Sequence, residues 1–148
     1  MARRSVAIGE VGEHLTRIAL VQYGLVMVEK VNTPWKPVRR EGKIISAHTV
    51  EKVSGDFIAM VPGTGRKVLV ESKARKERVR WSDLKPHQKE ALDTNAGYGG
   101  LSLLSIITDP GICLFQWPVA GFGPGRSLGW SDRDRAVYSL SFTETTGD

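Results

Sequence analysis

The first hydrophobic pattern in the chain has the spacing of a helix. Its apolar positions are Ile8, Val11, Leu15, Ile18 and Ala19. Residues three or four positions apart lie on one face of a helix, so this pattern predicts an amphipathic helix over residues 6–23. Gly24 follows directly, in the position where helices commonly end on a glycine. We therefore expect the helix to end there and to bury its apolar face.

Short apolar runs after this helix predict a set of β-strands. The runs lie at residues 25–31, 50–61, 67–73, 101–108, 112–117 and 137–142, and the last of them alternates like an edge strand. The Pro-Gly-Thr-Gly sequence at 62–65 is typical of a tight turn and predicts a hairpin between the second and third runs. Asp109-Pro110-Gly111 predicts a turn between the fourth and fifth runs.

A second helix is predicted after the third strand. Ser82 or Asp83 can cap its first turn, and it would run to about residue 95 with Pro86 tolerated near its start. Residues 33–37 carry two prolines and are expected to break regular structure. Four glycines and a proline at 121–129 predict a mobile loop, and residues 143–148 are expected to form a flexible tail.

The composition is that of an ordinary globular protein. With 148 residues, 41% hydrophobic and 25% charged, the chain can form one domain with its own core, expected at about residues 6–118. Cys113 is the only cysteine and lies in an apolar run, which predicts a buried thiol rather than a disulfide or a zinc site. Since no stretch resembles a signal peptide or a membrane span, we expect a soluble, cytoplasmic protein.

Positive charge is concentrated in one part of the chain. Residues 66–80 contain seven Lys and Arg against two Glu, a net charge of +5, which equals the formal net charge of the whole chain. The remaining residues are therefore close to neutral. Basicity gathered in one segment is typical of a surface that binds a polyphosphate such as nucleic acid.

Three charged residues on the predicted hairpin define a candidate site. Asp56 lies on the first strand, and side-chain alternation places Glu71 and Lys73 on one side of the second. Two converging carboxylates repel each other unless a divalent cation holds them, and Mg²⁺ prefers oxygen ligands. A lysine beside the cation can orient water or stabilise charge on a phosphate, which indicates phosphodiester hydrolysis. Taken alone, a Glu-x-Lys pair is also typical of a solvated strand surface.

Four short motifs occur in order along the chain. They are Gly9-x3-Glu13, Lys30-x2-Thr33-Pro34, Gly55-Asp56 with Glu71-Ser72-Lys73, and Leu84-Lys85-Pro86-His87-Gln88. Together with the order of helices and strands, they resemble the PD-(D/E)XK nuclease superfamily, and within it the Holliday-junction resolvases of the bacterial RecU-like and archaeal Hjc-like types. The resemblance covers residues 9–117. Gly55 departs from the proline that many members have, and the connection that corresponds to the RecU-type stalk is short.

The resemblance implies an α/β fold with a restriction-endonuclease-like core, in which helices flank a central mixed β-sheet, and a short stalk-like insertion. It also implies a Mg²⁺ site, with Mn²⁺ able to substitute and no small-molecule cofactor. The implied metal ligands are the carboxylates of Glu13, Asp56 and Glu71 and the backbone carbonyl of Ser72. Lys73 would act on the attacking water or the phosphate, and Gln88 would lie at the edge of the site.

Two of these residues also have simpler interpretations. Glu13 lies four positions before Arg17, which is the spacing of an ordinary ion pair on a solvated helix. Gln88 shares a helical face with Leu84 and Leu92, which are expected to point into the core. A polar residue on such a stripe needs a partner, which the active-site edge could supply. The alternative is a surface glutamine at the border of the stripe.

Basic residues near the candidate site are the predicted DNA contacts. They are Arg3, Arg4, Lys36, Arg39, Arg40, Lys43, Arg75, Lys76, Arg78, Arg80 and His87. Contacts of this kind bind phosphates and position a duplex without reading its sequence. Trp35 and Trp81 could stack on exposed bases or anchor loops onto the core, and His87 could equally lie in solvent.

The resemblance implies an endonuclease that resolves four-way DNA junctions by paired cuts. Two matched sites are needed for symmetric cuts, and a two-fold homodimer provides them. Residues 101–108 and the first helix are candidates for the dimer interface. Two alternatives remain open. One is another nuclease of the superfamily, of the restriction, repair or flap type. The other is a DNA-binding relative without activity, although Glu13, Asp56, Glu71 and Lys73 are all present.

Overall fold

The computed structural model describes residues 2–31, 35–40, 43–49 and 56–142, and side chains over 11–31 and 56–142. Several sequence predictions lie outside the described residues. They are the motif residues Thr33, Pro34 and Gly55, residues 50–55 of the predicted strand 50–61, and the tail at 143–148. The side chains of Arg3, Arg4, Trp35, Lys36, Arg39, Arg40 and Lys43 lie outside as well.

The first helix, α1, spans Ala2–Tyr23 and confirms the predicted helix. It ends in the expected glycine cap, because Gly24 has a φ of +110°, a conformation that residues with a side chain rarely adopt. The Gly24 N–H donates to the Val21 carbonyl at 3.0 Å, and the next N–H donates to Leu20 at 3.1 Å. These bonds satisfy carbonyls that the helix end would leave unpaired.

Within the described residues, no helix is long and apolar enough to cross a membrane.

The described residues contain ten strands, six of which form a central mixed sheet. The strands are β1 (Val26–Lys30), β2 (Trp35–Arg40), β3 (Lys43–Thr49), β4 (Phe57–Met60), β5 (Lys67–Ala74), β6 (Val79–Arg80), β7 (Leu101–Thr108), β8 (Gly111–Gln116), β9 (Ser127–Leu128) and β10 (Tyr138–Ser141). The central sheet has the order β1–β4–β5–β7–β8–β10. β4 and β5 form the predicted hairpin, and β5 pairs with β7 in parallel. The second helix, α2 (Pro86–Gly97), lies in the connection between β5 and β7.

Each face of the central sheet carries its own hydrophobic core. Leu20 of α1 lies in one core together with Val70 of β5, and we call this side the α1 face. Leu92 of α2 lies in the other core together with Leu69 and Leu104, and we call that side the α2 face. β5 contributes to both cores because successive residues of a strand point to opposite faces. The two faces provide the frame for locating the candidate site.

β7 occupies the interior of the sheet. All eight of its residues are buried, and it pairs with β5 on one edge and with β8 on the other. The prediction that residues 101–108 could form a dimer interface is therefore wrong, because the strand has neither a free edge nor an exposed face. Val11 and Val21 of α1 are exposed, so the prediction of an interface at the first helix remains a prediction.

Residues 35–40 and 43–49 form a β-ribbon where the sequence predicted a break at 33–37. Pro37 belongs to β2 and pairs with Ala47 of β3. Each strand of a two-stranded ribbon has an outward edge, where a proline without an N–H is tolerated. The described part of the connection between β1 and β4 thus contains two antiparallel strands of six and seven residues, and its correspondence to a stalk remains a prediction.

The second helix begins later than the sequence predicted. Both predicted caps lie in a 3₁₀ turn at Trp81–Asp83, and the N-cap of α2 is Lys85. Asp83 is already engaged, because its carboxylate accepts the N–H of Arg80 at 2.7 Å and the guanidinium of Arg75 at 3.2 Å. The Asp83 carboxylate therefore fastens the 3₁₀ turn rather than the start of α2.

The segment 121–129 is joined to the core near both of its ends, and its mobility stays a prediction. Phe122 and Leu128 are buried in the core on the α2 face. β9 pairs with β6, which joins the segment to the chain that follows β5. Phe122 and Leu128 thus anchor the segment by burying apolar surface, while residues 124–126 between them are exposed.

Cys113 is buried in the α2-face core, as the sequence predicted. Burial raises the pKa of its thiol to about 11. The thiolate is the reactive form of cysteine, so this side chain is inert at neutral pH and acts as a small hydrophobic residue.

Asp132 fastens the chain after β9. Its carboxylate accepts the N–H of Gly129 at 2.9 Å, and the guanidinium groups of Arg78 and Arg135 at 2.8 and 2.9 Å. Burial acts to raise the pKa of Asp132, but the hydrogen bonds from Gly129, Arg135 and Arg78 outweigh it and hold the pKa below its usual value. The charged form of Asp132 therefore stabilises the fold.

We expect Asp132 to contribute to the pH dependence of stability. Since its folded pKa lies below the unfolded value of 3.8, its stabilisation is present above pH 3.8 and is lost as the pH falls through the folded pKa. Asp132→Asn should lower the free energy of unfolding at neutral pH and flatten its acid dependence, as measured by urea unfolding. Asp134→Asn, at an exposed position, is the control. Identical acid profiles for Asp132→Asn and the wild type would contradict this role.

Candidate active site

Asp56 immediately precedes β4 and forms hydrogen bonds with the two residues that flank Glu71 on the neighbouring strand, β5. The Asp56 N–H donates to the carbonyl of Val70 at 2.7 Å. Its carboxylate Oδ2 accepts the N–H of Ser72, also at 2.7 Å. These two partners precede and follow Glu71 in β5, so the carboxylate of Asp56 is held beside Glu71. The structure thus brings together the two acids that the sequence placed on the arms of a hairpin.

Glu71 and Lys73 lie on the α2 face of the sheet. Leu69 belongs to the core on that face, whereas Val70 belongs to the core on the α1 face. Residues two apart in a strand share a face, so Glu71 and Lys73 follow Leu69, and Ser72 follows Val70. The common orientation that the sequence predicted for Glu71 and Lys73 is therefore present.

The donor groups at this end of the hairpin suit a hard divalent cation. Glu71 is only 1% exposed, and Asp56 and Lys73 are half-buried. A buried carboxylate costs free energy unless a hydrogen bond, an opposite charge or a metal ion compensates it. Asp56, Glu71 and the backbone carbonyl of Ser72 offer oxygen ligands, which are the ligands that Mg²⁺ prefers. The residues present therefore fit the metal that the resemblance implies.

Glu13 is held apart from these two acids. Its Oε1 lies 2.8 Å from Nζ of Lys30, and its side chain is 52% exposed. Lys30 pairs in register with Phe57, which belongs to the core on the α1 face, so the ion pair lies on that side of the sheet. Arg17, the partner considered from the sequence, donates instead to the carbonyl of Val28. Among the described residues, no three His, Cys, Asp or Glu side chains form a group that could hold a metal ion.

Gln88 caps its own helix. Its Oε1 accepts the N–H of Lys85 at 2.8 Å, so the partner expected at the active-site edge is instead the backbone at the start of α2. Leu92 of α2 lies in the core on the α2 face as predicted, and Leu84 lies there too although it precedes the helix; Gln88 is half-buried. His87, beside it, is also half-buried. A role for Gln88 at the metal site remains a prediction.

A cluster of three hydroxyl groups, which was not predicted from the sequence, lies on the α1 face, on the opposite side of β5 from Glu71. Thr16 of α1 hydrogen-bonds to the hydroxyl of Ser72 at 3.1 Å and to that of Ser105 at 2.9 Å. Thr16 and Ser105 are fully buried. The cluster ties α1 to the residue whose N–H holds Asp56. The available signal was the spacing Gly12-Thr16-Leu20, which places a polar residue on the buried stripe of the helix.

We expect Thr16→Val to destabilise the protein. The substitution keeps the shape of the side chain but leaves the hydroxyls of Ser72 and Ser105 without their common partner, at a cost of about 1–3 kcal/mol in the free energy of unfolding. Urea unfolding of the variant and the wild type measures the difference. Thr16→Ser keeps the hydroxyl and should retain most of the stability. Equal stability of Thr16→Val and the wild type would show that the cluster contributes nothing.

The arginines that follow β5 differ in whether their guanidinium groups already form hydrogen bonds or ion pairs within the protein. Arg78 donates from Nε to the hydroxyl of Ser127 at 2.7 Å, and from its terminal nitrogens to Ser131 and Asp132 at 2.9 and 2.8 Å. Arg75 pairs with Asp83 at 3.2 Å. Both side chains therefore have structural partners, which weakens their predicted role as phosphate contacts. Lys76 and Arg80 are exposed.

Trp81 anchors the 3₁₀ turn to the core. Its ring stacks on Trp117 with centroids 5.6 Å apart, and Phe122 meets it edge-on at 5.1 Å. The Nζ of Lys89 lies 4.3 Å from the ring centroid. Of the two roles considered from the sequence, the structure favours the anchor. Base stacking on this ring would have to displace one of these neighbours.

The fold of the chain is similar to that of an archaeal resolvase. No family model matches the chain, and no curated protein matches it in sequence. Among solved structures, it is similar to Hjc, a Holliday junction resolvase from the archaeal hyperthermophile Archaeoglobus fulgidus, with a TM-score of 0.53 and 18% identity over 92% of this chain and 100% of that chain. A likeness at this identity shows the fold alone. The predicted mixed α/β architecture is confirmed.

Proposed function

We propose that this chain is a Mg²⁺-dependent endonuclease that resolves four-way DNA junctions as a homodimer. The observation that carries the proposal is the hydrogen bond from the Ser72 N–H to Oδ2 of Asp56, at 2.7 Å. This bond holds the Asp56 carboxylate beside Glu71. Lys73 lies on the same face as Glu71. The similarity to the fold of a resolvase over nearly the whole chain supports the reaction class. The positive charge concentrated at residues 66–80 supports a nucleic acid as substrate.

Each residue of the site has a distinct role in this proposal. Asp56, Glu71 and the Ser72 carbonyl would hold the metal ion. A bound Mg²⁺ would supply Lewis-acid stabilisation of charge on the phosphate and lower the pKa of a bound water. Lys73 would place its ammonium group where it orients the attacking water or stabilises the phosphate. Because the Ser72 N–H holds the Asp56 carboxylate and Glu71 is buried beside it, this pair would be arranged before DNA binds.

Glu13 can contribute only if its side chain leaves Lys30 and reaches around the end of the sheet, because the ion pair lies on the α1 face whereas Glu71 and Lys73 lie on the α2 face. An ion pair between side chains that are this exposed contributes at most about 1 kcal/mol, so its exchange costs little. We propose that Glu13 supplies a third carboxylate when the metal ion and DNA are bound. Lys30 would then be free to contact the negatively charged substrate.

Paired cuts across a four-way junction require two sites in one assembly. A homodimer with two-fold symmetry presents two copies of the site with matched orientation. Sedimentation equilibrium should therefore give twice the chain mass of 16.3 kDa at the concentrations used for cleavage. A monomer at those concentrations would contradict the homodimer.

A panel of DNA substrates distinguishes the proposal from its alternatives. The substrates are an immobile four-way junction, a flap and a linear duplex, each incubated with Mg²⁺, Mn²⁺ or a chelator. We expect symmetric nicks in opposite strands of the junction, with activity lost in the chelator and restored by either metal. Preferred cutting of the flap or the duplex would indicate a restriction or repair nuclease. Tight DNA binding without cleavage would indicate a non-catalytic relative.

The β2–β3 ribbon is expected to confer selectivity for junctions. Residues 36–43 lie where RecU-type resolvases carry a stalk, and only a junction has a central opening to fill. Replacing them with a neutral Gly/Ser linker of equal length removes charge and stiffness but keeps the reach. The preference for junction over duplex, measured as a ratio of Kd values, should fall by about tenfold or more, or ~1.4 kcal/mol. Equal losses on both substrates would mean that the ribbon is a general phosphate contact.

A further inference from the structure

We propose that the groove between residues 80–82 and 124–127 binds the sugar-phosphate backbone of DNA, with Arg80 and Arg126 as phosphate contacts. The groove has a volume of about 470 Å³. The inference rests on the proposed nuclease function and deepens it by locating a DNA-binding surface. Arg126 lies in the glycine-rich segment, for which the sequence indicated no role in binding.

Backbone pairing brings the two arginines together. Val79 pairs with Leu128, and Arg80 pairs with Ser127, in the short β6–β9 ladder. The Trp81 N–H donates to the carbonyl of Arg126 at 3.0 Å, which extends the pairing by one residue. Val79 and Leu128 are buried in the core on the α2 face, so alternation turns Arg80 and Ser127 towards solvent.

The charges of these two arginines are available to a ligand. Both side chains are exposed, and within the described residues neither guanidinium donates a hydrogen bond or forms an ion pair. This distinguishes them from Arg75 and Arg78, whose carboxylate partners are Asp83 and Asp132 at 3.2 and 2.8 Å. A phosphate that binds Arg80 and Arg126 therefore breaks no existing ion pair.

The neighbouring acids, Asp83 and Asp132, already accept hydrogen bonds from other groups. The carboxylate of Asp83 is held by the Arg80 N–H and by Arg75. That of Asp132 is held by Gly129, Arg78 and Arg135, as described above. Burial acts to raise the pKa of Asp83, but the Arg80 N–H, the Arg75 guanidinium and the charge of Arg80 hold it below its usual value. Arg80 therefore shares part of its field with Asp83, whereas Arg75 carries the ion pair. A phosphodiester is the anion that fits, because the surface presents neighbouring cations along an open groove rather than one deep pocket.

The remaining walls of the groove suit a sugar-phosphate chain better than a base. The ring of Trp81 is held by Trp117 and Phe122, and Lys89 adds a third cation over it, so the ring offers a rigid apolar edge. The hydroxyl of Ser127 accepts the Nε–H of Arg78 at 2.7 Å, which leaves its own hydrogen free to donate to a phosphate oxygen. Rigid walls of this kind lose little conformational entropy on binding.

The position of the groove relates it to the candidate active site. The Val79 and Leu128 side chains beneath it belong to the core of the α2 face, which is the face that carries Glu71 and Lys73. The chain reaches the groove directly after β5. A duplex that presents one phosphate to Lys73 would be held on the same side of the sheet by the groove.

Salt-dependent binding of single-charge variants tests the groove. The variants are Arg80→Gln and Arg126→Gln, with Lys67→Gln as the matched control. Lys67 is exposed on the same face at the other end of β5, about 20 Å from Lys73. Binding to fluorescent junction and duplex DNA is measured by anisotropy without divalent metal, so that no cleavage occurs. Each groove variant should lower the slope of log affinity against log salt by about 0.9, the contribution of one phosphate contact.

Each groove variant is expected to lose about eightfold in affinity at 0.1 M salt. This follows because the contribution of one phosphate contact falls with a slope of about 0.9 and becomes negligible near 1 M salt, one decade higher. The loss should be the same for the junction and the duplex, since both present phosphates. Arg126→Lys retains the charge and should keep the wild-type slope. Lys67→Gln should leave the slope unchanged.

The outcomes separate this inference from the proposed function. If the wild-type protein cuts junctions but Arg126→Gln and Lys67→Gln both have the wild-type slope, the proposed groove is overturned and the proposed function is not. Wild-type protein that binds no DNA would overturn both proposals. A reduced slope for the two groove variants, with an unchanged slope for Lys67→Gln, would support the groove even if the preferred substrate of cleavage proved not to be a junction.

Discussion

Asp56→Asn and Glu71→Gln are each expected to abolish junction cleavage while preserving junction binding. Each substitution removes one proposed metal ligand without changing the size of the side chain. If the metal ion contributes several kcal/mol to transition-state stabilisation, the cleavage rate should fall by about 10³-fold or more. Binding should be equal or slightly tighter, because one negative charge beside the DNA is removed. Single-turnover cleavage and a binding titration measure the two effects.

Two exposed acids provide charge-matched controls for these variants. Asp134→Asn and Glu90→Gln make the same chemical changes away from the Asp56–Glu71 pair, and both positions are exposed. Both controls should cleave at the wild-type rate. If Asp56→Asn or Glu71→Gln nicked a junction at a rate near that of the wild type, the metal site would be misplaced.

Lys73→Ala is expected to cleave poorly even when Mg²⁺ is saturating. Its ammonium group is proposed to act on water or on the phosphate, and loss of one such electrostatic contact costs about 10²–10³ in rate. Lys67→Ala is the control, because Lys67 lies on the same strand and face but at its other end. Rescue of Lys73→Ala by higher Mg²⁺ alone would contradict this role and would indicate that the lysine supports metal binding.

The elements with a strong local signal were predictable from the sequence. The spacing of apolar residues predicted α1, and Gly24 marked its end. Apolar runs and turn residues predicted the β4–β5 and β7–β8 hairpins. In each of these cases, the residues that determine the structure are close together in sequence. Local propensity and burial therefore favour the same conformation.

The wrong prediction of the α2 cap and the unforeseen anchoring of residues 121–129 both arise where several contacts compete for the same residues. Aspartate is a favourable residue at the start of a helix, but the carboxylate of Asp83 instead accepts hydrogen bonds from Arg75 and from the backbone N–H of Arg80. The segment 121–129 is rich in glycine, but Phe122 and Leu128 join a core built by other strands. The sequence alone does not show which of these competing interactions is more favourable.

The candidate site was predictable in part. Alternation along β5 predicted the common face of Glu71 and Lys73, and the hairpin predicted that Asp56 lies near them. Three features depend on tertiary contacts and could not be predicted from local patterns: the bond from Ser72 to Asp56, the contact of Thr16 with Ser72 across 56 residues, and the ion pair of Glu13 with Lys30.

Cleavage of an immobile four-way junction by the wild-type chain, with Mg²⁺ and with a chelator, is the most direct test of the proposed function. The junction carries a different fluorophore on each of its four strands, so that every cut is assigned to its strand. We predict Mg²⁺-dependent nicks at symmetric positions on two opposite strands, and none with Asp56→Asn. Cleavage that persists in the chelator, or intact junctions in the presence of bound protein and Mg²⁺, would contradict the proposal.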